Sequence, residues 1–432
     1  MGWHGAGIMK HLASAAGAFV YRRRAARVDT GTDSMELIRG LHNLPAGGAT
    51  RSGAPRECVA TIGNFDGVHR GHQAILEQLK SLSRSAGLPV TVVIFEPQPR
   101  EYFAGDQAPP RLTRLRDKVE LLAAHGADRI LCLPFNDALR SLTARQFIER
   151  VLIDGLRVRH LVVGDDFRFG CDRAGDFALL EAVGRERGFA VEHTRTFTLD
   201  DERVSSTRVR TLLASGNFCQ AARMLGRPFA FQGRVVRDRQ LGRTIGVPTA
   251  NIPLTRRPLA LRGVFACATR LPDGSWTPSV ANIGWRPTVG AHQPMLEVHV
   301  LDRQLDLYGE SLSVVPCARL RGETKFADFD TLVTQIHHDL DQARRYFQAP
   351  EAAPTSDQAP EAAPASDQAP EAAPTSDQAP AATPDAPTTD TAGLASLAPP
   401  AARFPLASAP LPHEAAVADS PPGPARDPRT DE

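Results

Sequence analysis

Two histidines three residues apart, His69 and His72, stand among Gly63, Gly67 and Gly71, with Asn64 and Asp66 between, in the stretch TIGNFDGVHRGHQAIL (61–76). The run before it, ECVATI, is apolar and β-branched. The run after it, QAILEQLKSL, carries Ile75, Leu76, Leu79 and Leu82 at the spacing of one helix face. A strand that passes through a glycine-rich turn into a helix leaves backbone N–H groups free at the positive end of the helix dipole, a setting suited to phosphate. Residues three apart share a face of such a helix. Two imidazoles there can donate to oxygens that gain charge in phosphoryl or nucleotidyl transfer. A glycine-rich turn alone is usually a connection and a histidine alone is usually structural; their combination at a strand-to-helix junction points to chemistry.

Four other stretches carry reactive side chains. RVSSTRVRTLLASGN offers a helix start that Ser205 or Ser206 can cap. The hydroxyls of Ser206 and Thr207, with Arg208 and Arg210, could hold phosphate oxygens, although taken alone an ordinary capped helix is the simpler reading. LGRTIGVPTANI ends with the Thr249 hydroxyl and the Asn251 amide two residues apart, hard oxygen ligands for a magnesium ion already held by nucleotide phosphates. Glu297 lies on a predicted strand between Leu296 and Val298 and faces either solvent or a pocket; spacing does not decide which. VGDDFRFGCDRAGD places Asp165, Asp166, Arg168 and Arg173 beside Gly164 and Gly170.

The elements that position these residues change character along the chain. Between 57 and 197, the runs ECVATI, PVTVVIF, DRILCLPF, HLVVG and GFAVEHT read as strands, and helical patterns fall near 73–85, 115–125, 144–152 and 177–187. This alternation predicts a parallel sheet covered on both faces, with ligands beyond the carboxyl ends of its strands. The 63–72 turn, FEPQPRE and the loop holding Asp166 all fall at that edge. A helical connector is expected over 216–227. From Pro228 the β-rich runs FAFQGRVV, GVFACATRL, TPSVANIG, MLEVHVL and SLSVVPCARL follow with close turns and predict an antiparallel barrel or sandwich. A last helix is predicted over 329–347.

Composition limits the class. At 432 residues the chain has room for two or three domains, and no run approaches the roughly 18 apolar residues of a membrane span. Six scattered cysteines form no CxxC pair, which argues against a zinc site or disulfide framework and fits a reducing compartment. From Gln348 onward there are 13 Asp and Glu against 3 Arg, so the part before it is mildly basic. That suits a protein handling small polyanions; without interleaved aromatics, nucleic acid is the weaker reading. The tail repeats PEAAPTSDQA nearly unchanged three times and holds 18 of the 35 prolines, so 348–432 is expected to be disordered. Residues 1–34 read as a disordered extension or a misassigned start, with Met35 the expected beginning.

In order, the motifs GNFDGVHRGHQAIL, FEPQP, VGDDFRFG, VSSTRVR, GRTIGVPTANI, VANIGWRPTV, LEVHVLDRQLDLYG and LRGETKFADFDTLVTQIHHDL resemble those of the bacterial bifunctional riboflavin kinase/FMN adenylyltransferases. The resemblance implies a Rossmann-like α/β nucleotidyltransferase domain over 35–215, followed by an antiparallel six-stranded β-barrel kinase domain over 228–347 with a C-terminal helix. It implies phosphorylation of riboflavin by ATP to FMN, then adenylylation of FMN by ATP to FAD and pyrophosphate. The small-molecule partners would be riboflavin, FMN and ATP, the cofactor Mg2+, and the setting cytoplasmic, without nucleic acid or membrane. Carried over by motif, Gly63, Asn64, His69 and His72 resemble an ATP-binding motif. Ser206, Thr207 and Arg210 resemble a second one, and Asp166 lies in a loop near flavin. Thr249 and Asn251 resemble metal and nucleotide ligands and Glu297 a catalytic base, with His69 and His72 as the catalytic groups of the other half. Gln98 departs from the family pattern, which commonly has histidine there; Gln donates a hydrogen bond but cannot carry a proton charge. A second reading has the first half adenylylating another phosphorylated acceptor, with the barrel a non-catalytic module.

The repetitive tail is assigned no part in catalysis. Truncation after Phe347 is expected to leave the rates of FMN and FAD formation unchanged, as measured by chromatographic separation of the flavins, and a large loss of either would contradict the assignment.

Overall fold

A computed structural model describes residues 35–44, 57–164, 166–194, 196–237, 241–254, 259–288 and 291–349. The expectations for 1–34, for Asp165 and for the tail from 350 fall outside them. Five expected runs form parallel strands: β2 (Cys58–Ile62), β3 (Val90–Glu96), β4 (Arg129–Pro134), β5 (Val158–Val163) and β6 (Ala190–His193), the first four largely buried. A sixth, β1 (Glu36–Arg39), had not been expected from the sequence and pairs parallel with β4 at the edge. The order is β1-β4-β3-β2-β5-β6.

Alternate residues along these strands go to opposite faces. Val59, Val92, Ile94 and Ile130 pack with Leu76 and Leu79 of α1 (Arg70–Ala86) and with Leu121 and Leu122 of α3 (Leu115–Ala124). On the other face Ala60, Ile62, Val93, Leu131 and Leu161 meet Phe147 of α4 (Ala144–Phe147), Ile148, Val151 and Leu152 of the π-helical Ile148–Gly155, and Leu180 and Val183 of α5 (Phe177–Arg187). A short α2 (Pro99–Ala104) follows β3. The chain leaves β2 in one direction for β3 and β4 and returns on its other side to β5, so the sheet reverses between β2 and β5. A crevice opens beyond the carboxyl ends of strands at such a reversal.

The second half is a six-stranded antiparallel sheet made of β7 (Phe231–Arg234), β8 (Ala250–Pro253), β9 (Gly263–Arg270), β10 (Trp276–Thr288), β11 (Ala291–Val300) and β12 (Ser311–Arg321), in the order β8-β11-β10-β9-β12-β7. Five of these lie in the runs expected from alternation; β8, within PTANIP, is the sixth. A short helical turn, Leu241–Thr244, precedes it. The sheet curls until its ends meet. An isolated antiparallel bridge joins Val236 to Asn251, the Val236 N–H donating to the Asn251 carbonyl at 2.8 Å, and the barrel is nearly closed. Leu296, Val298, Val300, Phe265, Ala281 and Ile283 fill its interior. The last helix (Phe329–Gln348) lies outside it, with Leu340 and Ala343 against Val264, Ala266 and Val280.

Between the halves, α6 (Ser206–Ala214) and α7 (Phe218–Leu225) bury Val209, Leu212, Leu213, Phe218, Ala221, Met224 and Leu225 in the same core cluster as the barrel interior. The segment expected to be a connector is thus part of the packing.

Barrel closure depends on an approach that only glycine permits. A Cβ at Gly233 of β7 would stand 2.2 Å from Cγ2 of Ile252, a fully buried, β-branched side chain. Gly233→Ala is expected to destabilise the protein by about 1–3 kcal/mol, the usual cost of overpacking. A thermal-melt midpoint equal to that of the unaltered chain would show that β7 and β8 are not in contact there.

Candidate active sites

The first site is built on the loop that leaves β2. Phe65 (φ 46°), Gly67 (φ 84°) and Val68 (φ 40°) all take left-handed backbone conformations, which non-glycine residues adopt only at a cost. Phe65 and Val68 are nonetheless held there, because both side chains are buried in the α1 face of the core. Gly67 has no room for a side chain, since a Cβ would lie 2.9 Å from Leu112 Cδ1.

Asp66 turns inward from this loop and is buried. Its carboxylate accepts the N–H of Leu112 at 3.0 Å, the N–H and hydroxyl of Thr113 at 3.0 and 3.2 Å, and Nη2 of Arg210 at 2.6 Å. The Ser206 hydroxyl donates to the Asp66 carbonyl at 2.8 Å. Two motifs 140 residues apart are therefore joined at this residue. Arg210 also donates to the Pro110 carbonyl at 2.6 Å, so in this structure its guanidinium and the Ser206 hydroxyl hold the loop. Ser205 is the side chain that caps α6, and Thr207 lies exposed on its first turn.

His69 is the N-cap of α1, and its Nδ1 accepts the His72 N–H at 3.4 Å. A ring that accepts through Nδ1 carries its proton on Nε2 when neutral. Burial pushes its pKa down to about 4, the nearby Asp66 charge opposing the shift. His72 stacks on it, with ring centroids 3.6 Å apart and planes 17° apart. Burial, then His69 and Lys118, hold its pKa well below the ordinary histidine value. At neutral pH the pair consists of two uncharged rings at a helix N-terminus, able to donate hydrogen bonds.

Lys118 of α3 escaped the sequence reading. It is fully buried and its Nζ donates to the Asn64 carbonyl at 2.6 Å; burial brings its pKa down to about 8. The signal was present, because Lys118 stands at a core-facing position between Leu115 and Leu122. Arg111, also unforeseen, forks onto Glu96 at 2.9 and 3.0 Å and bonds Glu101. Gln98 is buried beside them, and its Nε2 finds no acceptor among the described residues. Gly63 and Asn64 begin the loop, whereas Asp166 stands apart in the loop after β5, exposed and 3.8 Å from Arg203.

The second site lies on the barrel. Asn251 of β8, Glu297 of β11 and Asn282 of β10 are register partners across three strands. Their chain neighbours Ile252, Leu296, Val298 and Ile283 point into the barrel core, so these three share the outer face; Thr249 stands just before β8, two residues ahead of Asn251. Asn251 is buried, and its Oδ1 has no hydrogen-bond partner among the described residues. A buried carbonyl oxygen left without a donor, beside a hydroxyl and a carboxylate, is a donor set that fits a hard divalent cation. No group of three or more His, Cys, Asp or Glu able to hold a metal occurs among the described residues. A cation here would therefore rest largely on its nucleotide. Thr249 lines a cleft together with Val235, Val298, Val300, Tyr308, Arg243 and Arg303. Arg237 and Arg243 lie over the Tyr308 ring, 5.3 and 5.6 Å from its centre.

Comparison with known proteins bears on both halves. Residues 52–208 match the family model described as FAD synthetase, and residues 225–347 the one described as riboflavin kinase. A protein of Pseudomonas fluorescens named bifunctional riboflavin kinase/FMN adenylyltransferase is 51% identical over 74% of this chain and 99% of its own. One of the same name from Escherichia coli K12 is 51% identical over 72% of this chain and 98% of its own. A crystal structure named a macrolide-efflux protein, from Streptococcus pneumoniae, matches with a TM-score of 0.59 at 26% identity, covering 72% of this chain and all of that one.

The buried histidines have a measurable consequence. In the unfolded chain His69 titrates near pH 6.5, but folded it does so near 4. Between those values the unfolded state binds more protons, so the stability that depends on a neutral His69 is whole above about pH 6.5 and is lost as the pH falls towards 4. Denaturant midpoints taken at pH 7 and pH 5 should fall further for the unaltered chain than for His69→Gln. Equal falls would mean that the ring is not buried neutral.

Proposed function

The chain belongs to the bifunctional riboflavin kinase/FMN adenylyltransferase family, phosphorylating riboflavin with ATP to FMN and adenylylating FMN with ATP to FAD and pyrophosphate, and we propose how its two halves divide these reactions. Residues 228–347 carry the kinase and residues 35–215 the adenylyltransferase, with 216–227 between. The observation that supports this division is that each half holds a donor set of the kind its reaction needs. Stacked neutral imidazoles stand at a helix N-terminus in one half, and Asn251 stands directly opposite Glu297 in the other. The riboflavin kinase match at 225–347 favours this over a barrel that only binds.

The nucleophile of the kinase step is a neutral alcohol of riboflavin. Its oxygen bonds to the γ-phosphorus of ATP as the bridge to ADP breaks, and its proton must go to a base. Glu297 takes that role, which typically contributes about 10² to 10⁴ in rate. Thr249 and Asn251 are the residues that would hold Mg2+, and the ion would supply neutralisation of charge on the transferring phosphate.

The nucleophile of the adenylyl step is the phosphate of FMN, already an anion, so no base is required. An oxygen of that phosphate attacks the α-phosphorus of ATP and pyrophosphate leaves. The contribution of the protein is alignment and hydrogen bonds to oxygens that gain charge. His69 and His72 supply these, with the first N–H groups of α1, and remain neutral throughout. Gly63 and Asn64 line the nucleotide path, and Ser206, Thr207 and Arg210 support it from α6. Asp166 serves the flavin side. The six cysteines are unpaired thiols, and no helix among the described residues is long and apolar enough to cross a membrane; we place the work in the cytoplasm.

Glu297→Gln is expected to cut FMN formation from riboflavin by about 10² to 10⁴ while FAD formation from supplied FMN persists, and His72→Ala should do the reverse. Incubation with ATP and Mg2+ followed by chromatography of the flavins reads both steps. If either folded variant lost both steps equally, the division would be wrong.

A further inference from the structure

We propose that His299 is a positioning residue for the kinase step, setting Thr249 through the backbone of Pro248. This rests on the roles given above to Thr249, Asn251 and Glu297. His299 lies on β11 two residues beyond Glu297 and so on the same outer face, while Val298 and Val300 point into the barrel. Its Nδ1 stands 2.8 Å from the carbonyl oxygen of Pro248, 51 residues earlier in the chain. A carbonyl only accepts, so Nδ1 carries the proton and donates.

The place of this bond gives it its consequence. The ladder between β8 and β11 begins at Ala250, opposite Val298. Pro248 and Thr249 lie just before it, where continued pairing would bring them beside Val300 and His299. Proline has no N–H to extend that ladder. Its ring fixes φ, leaving ψ as the one free backbone torsion of residue 248, and ψ swings the peptide plane that carries Thr249. A hydrogen bond to the Pro248 carbonyl locks that torsion. His299 thereby supplies from a side chain the restraint that the ladder cannot, at the residue before a proposed metal and nucleotide ligand. Burial also pushes the His299 pKa down, in keeping with a neutral ring whose proton is on Nδ1.

The test compares three variants in the full-length chain. His299→Ala removes the donor. His299→Asn puts an amide N–H near the place of Nδ1, whereas His299→Gln puts it near the place of Nε2. Kinase kcat/KM for ATP, with Mg2+ present, is expected to fall about tenfold or more in the Ala and Gln variants, mainly through KM, and to recover in the Asn variant. FAD formation from supplied FMN should be unchanged in all three. Unaltered kinase kinetics in His299→Ala, or an Asn variant as impaired as the Gln variant, would overturn the proposal. So would a loss of both activities together with a lowered melting point. Should the Ala variant fail to fold, the Asn and Gln pair still decides. Glu297→Gln assayed alongside separates the two levels. If it still makes FMN, the reading of the kinase centre has failed. If it does not while His299→Ala is normal, only the present inference has.

Discussion

The carboxylate of Asp66 is the constraint on which the first half depends. It is buried, and burying an ion is costly unless charge and hydrogen bonds replace the water it loses. Arg210, two backbone N–H groups and the Thr113 hydroxyl do so. Leaving such a pair half-made costs about 3–5 kcal/mol, enough to hold the loop in a backbone that is itself unfavourable. Left-handed Phe65 and Val68 each cost about 1–3 kcal/mol, and burial of their side chains returns a similar amount, about 1.5–3 kcal/mol each. The ion pair then selects this geometry from others that would bury the same groups. With the loop fixed, His69 falls at the helix cap and His72 on the next turn.

None of the residues proposed as barrel ligands takes such a left-handed backbone. They are aligned by the period of two along each strand and by register across three. Asn251 is where both requirements meet, since its backbone pairs with β11 on one side and closes the seam to Val236 on the other. A shift of one residue in β8 would turn the Asn251 side chain into the apolar interior and bring Ile252 to the surface. The apolar core of the barrel, by fixing which residues face inward, also fixes which polar residues stand on its outer face.

How much of this could be read from the sequence depended on the range of the interaction. Strands β2 to β5 were legible because a strand covered on both faces is a continuous apolar run, and the helices because their apolar spacing is local. Strand β1 was not, since ELIR has four residues with a charge at each end, a pattern that an edge strand shares with many loops. The stretches GNFDGVHRGH and PTAN stand out as candidates from residue type and spacing. Their structural supports stand out less. Arg210 reads as a phosphate ligand from its motif, yet here its partner is Asp66, 144 residues away, and no local pattern encodes that distance. Lys118 was the exception, a charge on an apolar helix face that could have been found. For Glu297 the pattern gave the alternation but not the face, because in a nearly closed barrel only the other strands determine which side is inside.

The change in composition near Pro228 marks where strand patterning begins, not where contacts with the first loop end. Arg227 donates to the Gly67 carbonyl at 2.8 Å, and Gln73 bridges the carbonyls of Val68 and Leu225, both at 2.9 Å. Gly67 and Val68 belong to the strained loop and Leu225 to α7, and buried carbonyls without donors would cost about 1–3 kcal/mol each. The segment between the halves therefore completes the hydrogen bonding of the loop after β2, while its helix α7 shares a core with the barrel interior. The ligands proposed for the kinase step stand on the outer face of that barrel, and the loop proposed for the adenylyl step is tied through Gln73 to α7, which packs against its core. Displacing α7 would disturb both, so the two proposed sites, though separate in their residues, share one element of folding.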